Sequence, residues 1–415
     1  MPRPELIWGE AFFAGSLAQL ISRLSGLPTV VLLLALGLVF GKAGLNLVEP
    51  EALGDGLEPV VLLLVSLILF DGGFNLRLAG RDLQRAVVRL VLVRSVLGLV
   101  GGAVLAHGLA GLAWPLAWVF GAISLATGPT VVNPMVRQIR LLEPLGKVLE
   151  AEGLILEPFS AVLALLLLQV ALGDLGHWQD VALLLGLRFG GGIAIGSAAG
   201  WLLSELIRRL PSPSPSLCLQ LSLGTLFLLV SGVEGVLPEA GLPAAVSAGV
   251  VLGLRLADEQ AGPLEELVAQ LAQLAITVLF PLLAADVSWG ELSPLGLGGV
   301  LAVLALMPYR LLAMQLGALG TPDFGWREKF IVGWIAPRGI VTAAVASLFA
   351  LQLDNAGVPG GGSLKGLVFL MILLTVGIQG FTAPVLARRL NLVEPPEDDS
   401  ASAAVPDQDP EKVAA

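Results

Sequence analysis

Apolar runs of about twenty residues recur along nearly the whole chain, and this recurrence constrains the fold more than any other feature. A helix rising about 1.5 Å per residue needs roughly 20 such residues to cross a hydrocarbon core about 30 Å thick. Thirteen windows qualify: 5–22, 27–44, 57–73, 86–107, 113–136, 146–172, 181–207, 216–233, 241–256, 266–286, 295–318, 327–351 and 364–387. The expected fold is an all-α polytopic membrane protein of about 13 transmembrane helices. Composition agrees: 56% of residues are hydrophobic and 13% charged, where a soluble chain carries about a quarter charged residues. The first run contains Glu10 and lacks a basic leader with a cleavage site, so it reads as a retained helix.

Basic residues test the count. With the N-terminus outside, 15 Lys and Arg fall in cytoplasmic segments and three (Arg3, Lys42 and Lys365) outside, the tail's Lys412 set apart. This asymmetry predicts N-out, C-in in a cell (inner) membrane. Four arginines, Arg94, Arg188, Arg310 and Arg338, fall inside runs. The first three read as snorkelling residues or structural pairs. Residues 1–390 form the expected transmembrane domain. Residues 391–415 hold seven acids and one lysine and supply −6 of the net charge of −10, so an acidic, disordered cytoplasmic tail is expected there. Nothing in the chain has the basic footprint of nucleic-acid binding.

Two runs are interrupted. Thr127-Gly128-Pro129-Thr130 breaks the fifth, and Ala336-Pro337-Arg338-Gly339 the twelfth. Proline and glycine release backbone groups, which a bilayer tolerates only against protein or a wet cavity. Paired interrupted helices in two halves point to a secondary transporter's site. Setting the first span aside leaves two sixes, but the breaks then fall fourth in one and fifth in the other.

Glu152 and Glu157 lie in the sixth run, at a cost of about 2.5–3.5 kcal/mol each on insertion scales. Five residues apart, they point roughly 140° away from one another on an ideal helix, and Pro158 disfavours helical geometry at Glu157. Glu157, Asp71 and the Thr127 hydroxyl, with freed carbonyls, offer the oxygen ligands a hard cation takes. Cation and proton would compete for one carboxylate, the simplest exchange device. Arg338 is the natural partner of Glu152; Glu157 with Arg338 is an alternative that spacing leaves open.

These motifs resemble those of the sodium/proton exchanger branch of the monovalent cation:proton antiporters. Glu152-Gly153-Leu154-Ile155-Leu156-Glu157 is similar to the Glu-Ser-x-x-Asn-Asp motif, Ala126-Thr127-Gly128-Pro129 to the Thr-Asp-Pro break, Phe70-Asp71-Gly72-Gly73 to Phe-Glu-Gly-Gly, and Ala336-Pro337-Arg338-Gly339 to the arginine-bearing break. The resemblance reaches to about Leu390. It implies an inverted-repeat core in which the two interrupted helices cross, and a homodimer whose core moves against a dimerisation domain. It implies sodium and proton as substrates, with no cofactor. By that resemblance Glu157, Asp71 and Thr127 bind the transient cation, while Glu152 and Arg338 form a structural pair at the break. Gly128, Pro129, Pro337 and Gly339 shape the breaks. Three polar family positions are Gly128, Gly153 and Leu156 here, which leaves the ligand set and ion preference open. The expected function is sodium/proton antiport by alternating access. The alternatives are potassium/proton exchange, a channel or an anion carrier. An enzyme is not expected: zinc-protease, phosphate-loop and nucleophile-elbow motifs are missing from the sequence.

Overall fold

The computed structural model describes residues 4–76, 81–211, 213–317 and 324–394. Arg3, Arg77 and the tail beyond Glu394 lie outside the described residues. The helices are α1 (Pro4–Ser25), α2 (Thr29–Phe40), α3 (Leu57–Asn75), α4 (Arg81–Gly108), α5 (Trp114–Ile123), α6 (Pro129–Ile139), α7 (Glu143–Leu172), α8 (Trp178–Arg209), α9 (Pro215–Glu234), α10 (Gly241–Arg255), α11 (Asp258–Ala285), α12 (Trp289–Leu292), α13 (Gly296–Gly317), α14 (Trp326–Trp334), α15 (Ile340–Asn355) and α16 (Gly361–Arg389).

All thirteen apolar runs are helical. Eleven are continuous, and the fifth and twelfth are split as α5/α6 and α14/α15. Among the described residues, eight helical segments are long and apolar enough to cross a bilayer by length and composition. Local chemistry sets several ends. Ser214 caps α9 by accepting from the Leu217 amide, with Pro215 in the first turn. Gly173 ends α7 in the left-handed region. One local expectation is corrected. α7 passes through Pro158 without ending, so Glu157 stays helical; burial of both faces overrides the proline preference. His107 lies in the last turn of α4, and its ring stacks on Trp114 at 4.1 Å.

Packing settles the repeat. α3 lies on α10, and α2 lies on α11. Gly249 and Gly253 press on the Phe70 and Phe74 carbonyls, just as Gly37 and Gly41 press on those of Pro281 and Ala285. An offset of 211 residues relates Phe70 to Pro281, Phe74 to Ala285 and Gly128 to Gly339. The helix outside the repeat is therefore α8, the seventh span, and not the first. Both breaks then fall fifth in their six. A shift of seven crossings reverses chain direction, so the second half is inverted relative to the first. Under the same offset Asn75 is equivalent to Asp286.

Candidate functional site

α5 and α6 together replace one crossing helix. At about 1.5 Å per residue, their 10 and 11 residues each reach only about half-way through a bilayer. The break between them meets the break between α14 and α15 backbone to backbone. The Gly128 amide donates to the Pro337 carbonyl at 3.1 Å. A Cβ on Gly128 would stand 2.3 Å from Gly339 Cα.

Other released groups are satisfied by side chains. Gln379 Oε1 accepts from the Ala336 amide at 2.9 Å, and Thr375 Oγ1 from that of Arg338 at 3.4 Å. Arg338 Nη1 donates to the Ala126 carbonyl at 2.5 Å. Arg310 Nε donates to the Gly333 carbonyl and Nη2 to that of Ile335, both at 3.2 Å. Two guanidinium groups thus hold carbonyls that a broken helix leaves over.

Glu152 is fully buried and pairs with Arg94 of α4 and Arg310 of α13, the latter at 3.3 Å. This corrects the expected Glu152–Arg338 pair, since the Arg338 side chain turns to Ala126. The Glu157–Arg338 alternative is not formed either. Arg94 and Arg310 belong among the structural pairs rather than the snorkelling residues. A single charge midway along an apolar run was their only signal in the sequence.

Glu157 is also fully buried, and neither carboxylate oxygen has a hydrogen-bond partner among the described residues. It lies one turn beyond Gly153, whose Cβ would stand 2.9 Å from the Thr127 carbonyl oxygen. The Thr127 hydroxyl is engaged by Arg310 Nη1 at 2.9 Å. Asp71 is half-buried and accepts from Asn75 Nδ2 at 3.0 Å. The charges bearing on it are Arg137, Glu265 and Glu150. Among the described residues, no hydrogen bond or ion pair joins Glu157, Asp71 and Thr127. No group of three or more His, Cys, Asp or Glu in metal-binding geometry occurs among them either.

The three positions that are polar in the resembling family have steric or environmental reasons to be apolar here. Gly128 has no room beside Gly339, and Gly153 has little beneath Thr127. Leu156 faces the arginines, lining a small cavity with Arg94, Arg310 and Arg338.

A second charged cluster sits where α11 ends. Asp286 meets Lys42 at 3.0 Å and Lys365 at 2.9 Å, and accepts from Ser347 Oγ at 3.0 Å. Lys365 also meets Glu291 at 2.9 Å. The union of Lys42 with Lys365 agrees with their assignment to one side of the membrane. Burial works to raise the Asp286 carboxyl, but the Lys365 and Lys42 ammonium groups outweigh it and hold it below its ordinary value.

Known proteins share this architecture. The Na(+)/H(+) antiporter ApNhaP of Aphanothece halophytica is 27% identical over 91% of this chain and 72% of its own length. The K(+)/H(+) antiporter NhaP2 of Shewanella oneidensis is 26% identical over 92% and 66%. The fold superposes on the sodium proton antiporter MjNhaP1 of Methanocaldococcus jannaschii with a TM-score of 0.82, 24% identity, and coverage of 92% of this chain and 97% of that one. The transmembrane family of sodium/hydrogen exchangers matches residues 11–389. The chain therefore belongs to the sodium/hydrogen exchanger family, whose members are cation/proton antiporters rather than enzymes.

Proposed function

We propose that the protein exchanges sodium, or another monovalent cation, for protons by alternating access, with both ions competing for the Glu157 carboxylate. One observation carries this reading: Glu157 is fully buried one turn beyond Gly153, which sits against the break at Thr127, and both its oxygens lack a partner among the described residues. An ionised carboxylate there has a large desolvation cost unless something neutralises it. A proton or a monovalent cation each does so, and each displaces the other. The Thr127 main-chain carbonyl, against Gly153 one turn from Glu157, would offer an oxygen for a shared cation. The Thr127 hydroxyl acts at one remove, by positioning Arg310. Asp71 serves the approach from the side of Arg137, which the basic-residue count makes cytoplasmic. Glu152 with Arg94 and Arg310, and Arg338 with Ala126, brace the crossing.

The inverted halves support alternating access, since each would present the crossing to one side. The proposed setting is the cell membrane, N-terminus outside, C-terminus in the cytoplasm, as a homodimer of the kind the resemblance implies. Relatives named for sodium and for potassium both support a monovalent cation. The test is transport in vesicles reconstituted with the purified chain, with sodium, lithium and potassium compared. Cation pulses are expected to shift internal pH in the native protein, and Glu157→Gln to abolish the shift. Undiminished exchange by that variant rejects the assignment.

A further inference from the structure

Arg94, Arg310 and Arg338 are 5%, 7% and 5% exposed, and all three line one cavity of about 30 Å³ together with Ser124, Leu156 and Tyr309. This volume suits on the order of one or two water-sized particles. Each guanidinium carries five N–H donors and stays protonated. Arg310 spends all three of its nitrogens on Gly333, Thr127, Glu152 and Ile335. Among the described residues Arg94 uses only Nη1, towards Glu152, and the Arg338 side chain only Nη1, towards Ala126. Arg338 Nε is buried and has no partner among them. Ser124 donates to Gly121 and Tyr309 to Leu97; both hydroxyls are neutral and bring no negative charge to these donors.

The charges do not balance. Arg94 and Arg310 share one carboxylate, Glu152, and Arg338 lines the same cavity without a carboxylate partner among the described residues. An ionised Glu157 would still leave one positive charge over; a Glu157 neutralised by a proton or a cation leaves two. Buried charge without a counter-ion is strongly disfavoured. Water in the cavity could accept the spare N–H bonds but would add no negative charge. We propose that the cavity binds one small monovalent anion of halide size, held by the free edges of Arg94 and Arg338. Leu156, where the resembling motif has an amide, supplies an apolar wall. The anion is a fixed structural ligand of the crossing, separate from the ions that Glu157 would exchange.

The test uses the purified full chain in detergent, at constant sodium and ionic strength, with bromide or chloride replacing gluconate. Both halides are expected to raise the unfolding midpoint saturably, because a ligand of the folded state stabilises it; gluconate is too large to enter. Arg94→Met is expected to weaken apparent halide affinity by about tenfold or more. Arg188→Gln, in α8 and away from the cavity, is expected to retain it. Bromide-soaked crystals of the unaltered protein should show an anomalous peak between Arg94 and Arg338. That peak decides the matter if Arg94→Met does not fold. Equal midpoints in halide and gluconate, an undiminished response in Arg94→Met, or no peak at saturating bromide overturns the proposal. None of these readouts requires transport, so they stand apart from the assignment of Glu157.

Discussion

Gly128 and Gly339 touch through their backbones, and a methyl group on Gly128 would come within 2.3 Å of Gly339 Cα. The two interrupted helices can cross this closely only because position 128 lacks a side chain. The aspartate of the resembling Thr-Asp-Pro motif has no place at Gly128 in this arrangement.

Gly128→Ala is therefore expected to destabilise the protein by about 3 kcal/mol or more, at the upper end of overpacking costs. Gly153→Ala, whose new atom would meet the Thr127 carbonyl at 2.9 Å, should cost about 1–2 kcal/mol. Thermal unfolding in detergent ranks the two. The reverse order would mean that the crossing is looser than described.

Glu152→Gln removes the carboxylate from two buried arginines and is expected to cost roughly 3–5 kcal/mol. Adding Arg94→Met should recover part of the loss, with a coupling of about 1 kcal/mol or more. A double-mutant cycle measures it. Strict additivity would show that Arg94 and Glu152 do not depend on each other.

Asp71→Asn should raise the cation concentration for half-maximal exchange several-fold while leaving the maximal rate within about threefold. Vesicle assays over a range of cation concentration separate this from the complete loss expected of Glu157→Gln. Complete loss in Asp71→Asn would place Asp71 in the ion's own coordination shell.

Asp286 gives a pH dependence with a definite sign. Its folded-state carboxyl lies below the ordinary value of about 3.9. The stabilisation is therefore fully present above that ordinary value and is lost as pH falls through the lower, folded-state one. Asp286→Asn is expected to be less stable by about 2 kcal/mol at pH 7. The gap to the native protein should close as acid is added below about pH 4. A gap that does not narrow at all between pH 7 and about pH 2 contradicts the ion-pair account.

The thirteen helices were legible because each apolar run is long enough to have one solution in lipid. Both breaks were legible because proline and glycine act locally. Which helix stands outside the repeat was not: α1 and α8 are both apolar, and only the seating of Gly37 and Gly249 on opposite halves tells them apart. The partners of Glu152 were also hidden. Arg94 and Arg310 lie 58 and 158 residues away, and helix spacing says nothing about which helices become neighbours. The freed carbonyls of the breaks read as cation ligands in the sequence, yet Ala126, Gly333 and Ile335 are held by arginines.

The equivalence of Asn75 and Asp286 makes the two ends of the bundle unequal despite their shared plan. At one end a neutral amide bonds to Asp71 one turn away. At the other, a carboxylate joins two ammonium groups drawn from the α2 and α16 segments. Separating the second set would expose charges and break ionic bonds, whereas the Asn75 amide bonds within α3, to the Asp71 carboxylate and carbonyl, and would move with that helix intact. In the proposed exchange cycle, two faces built from one repeated template would therefore resist opening to different degrees. That bias is written in side chains at one pair of matched positions and can be reset there without altering the backbone.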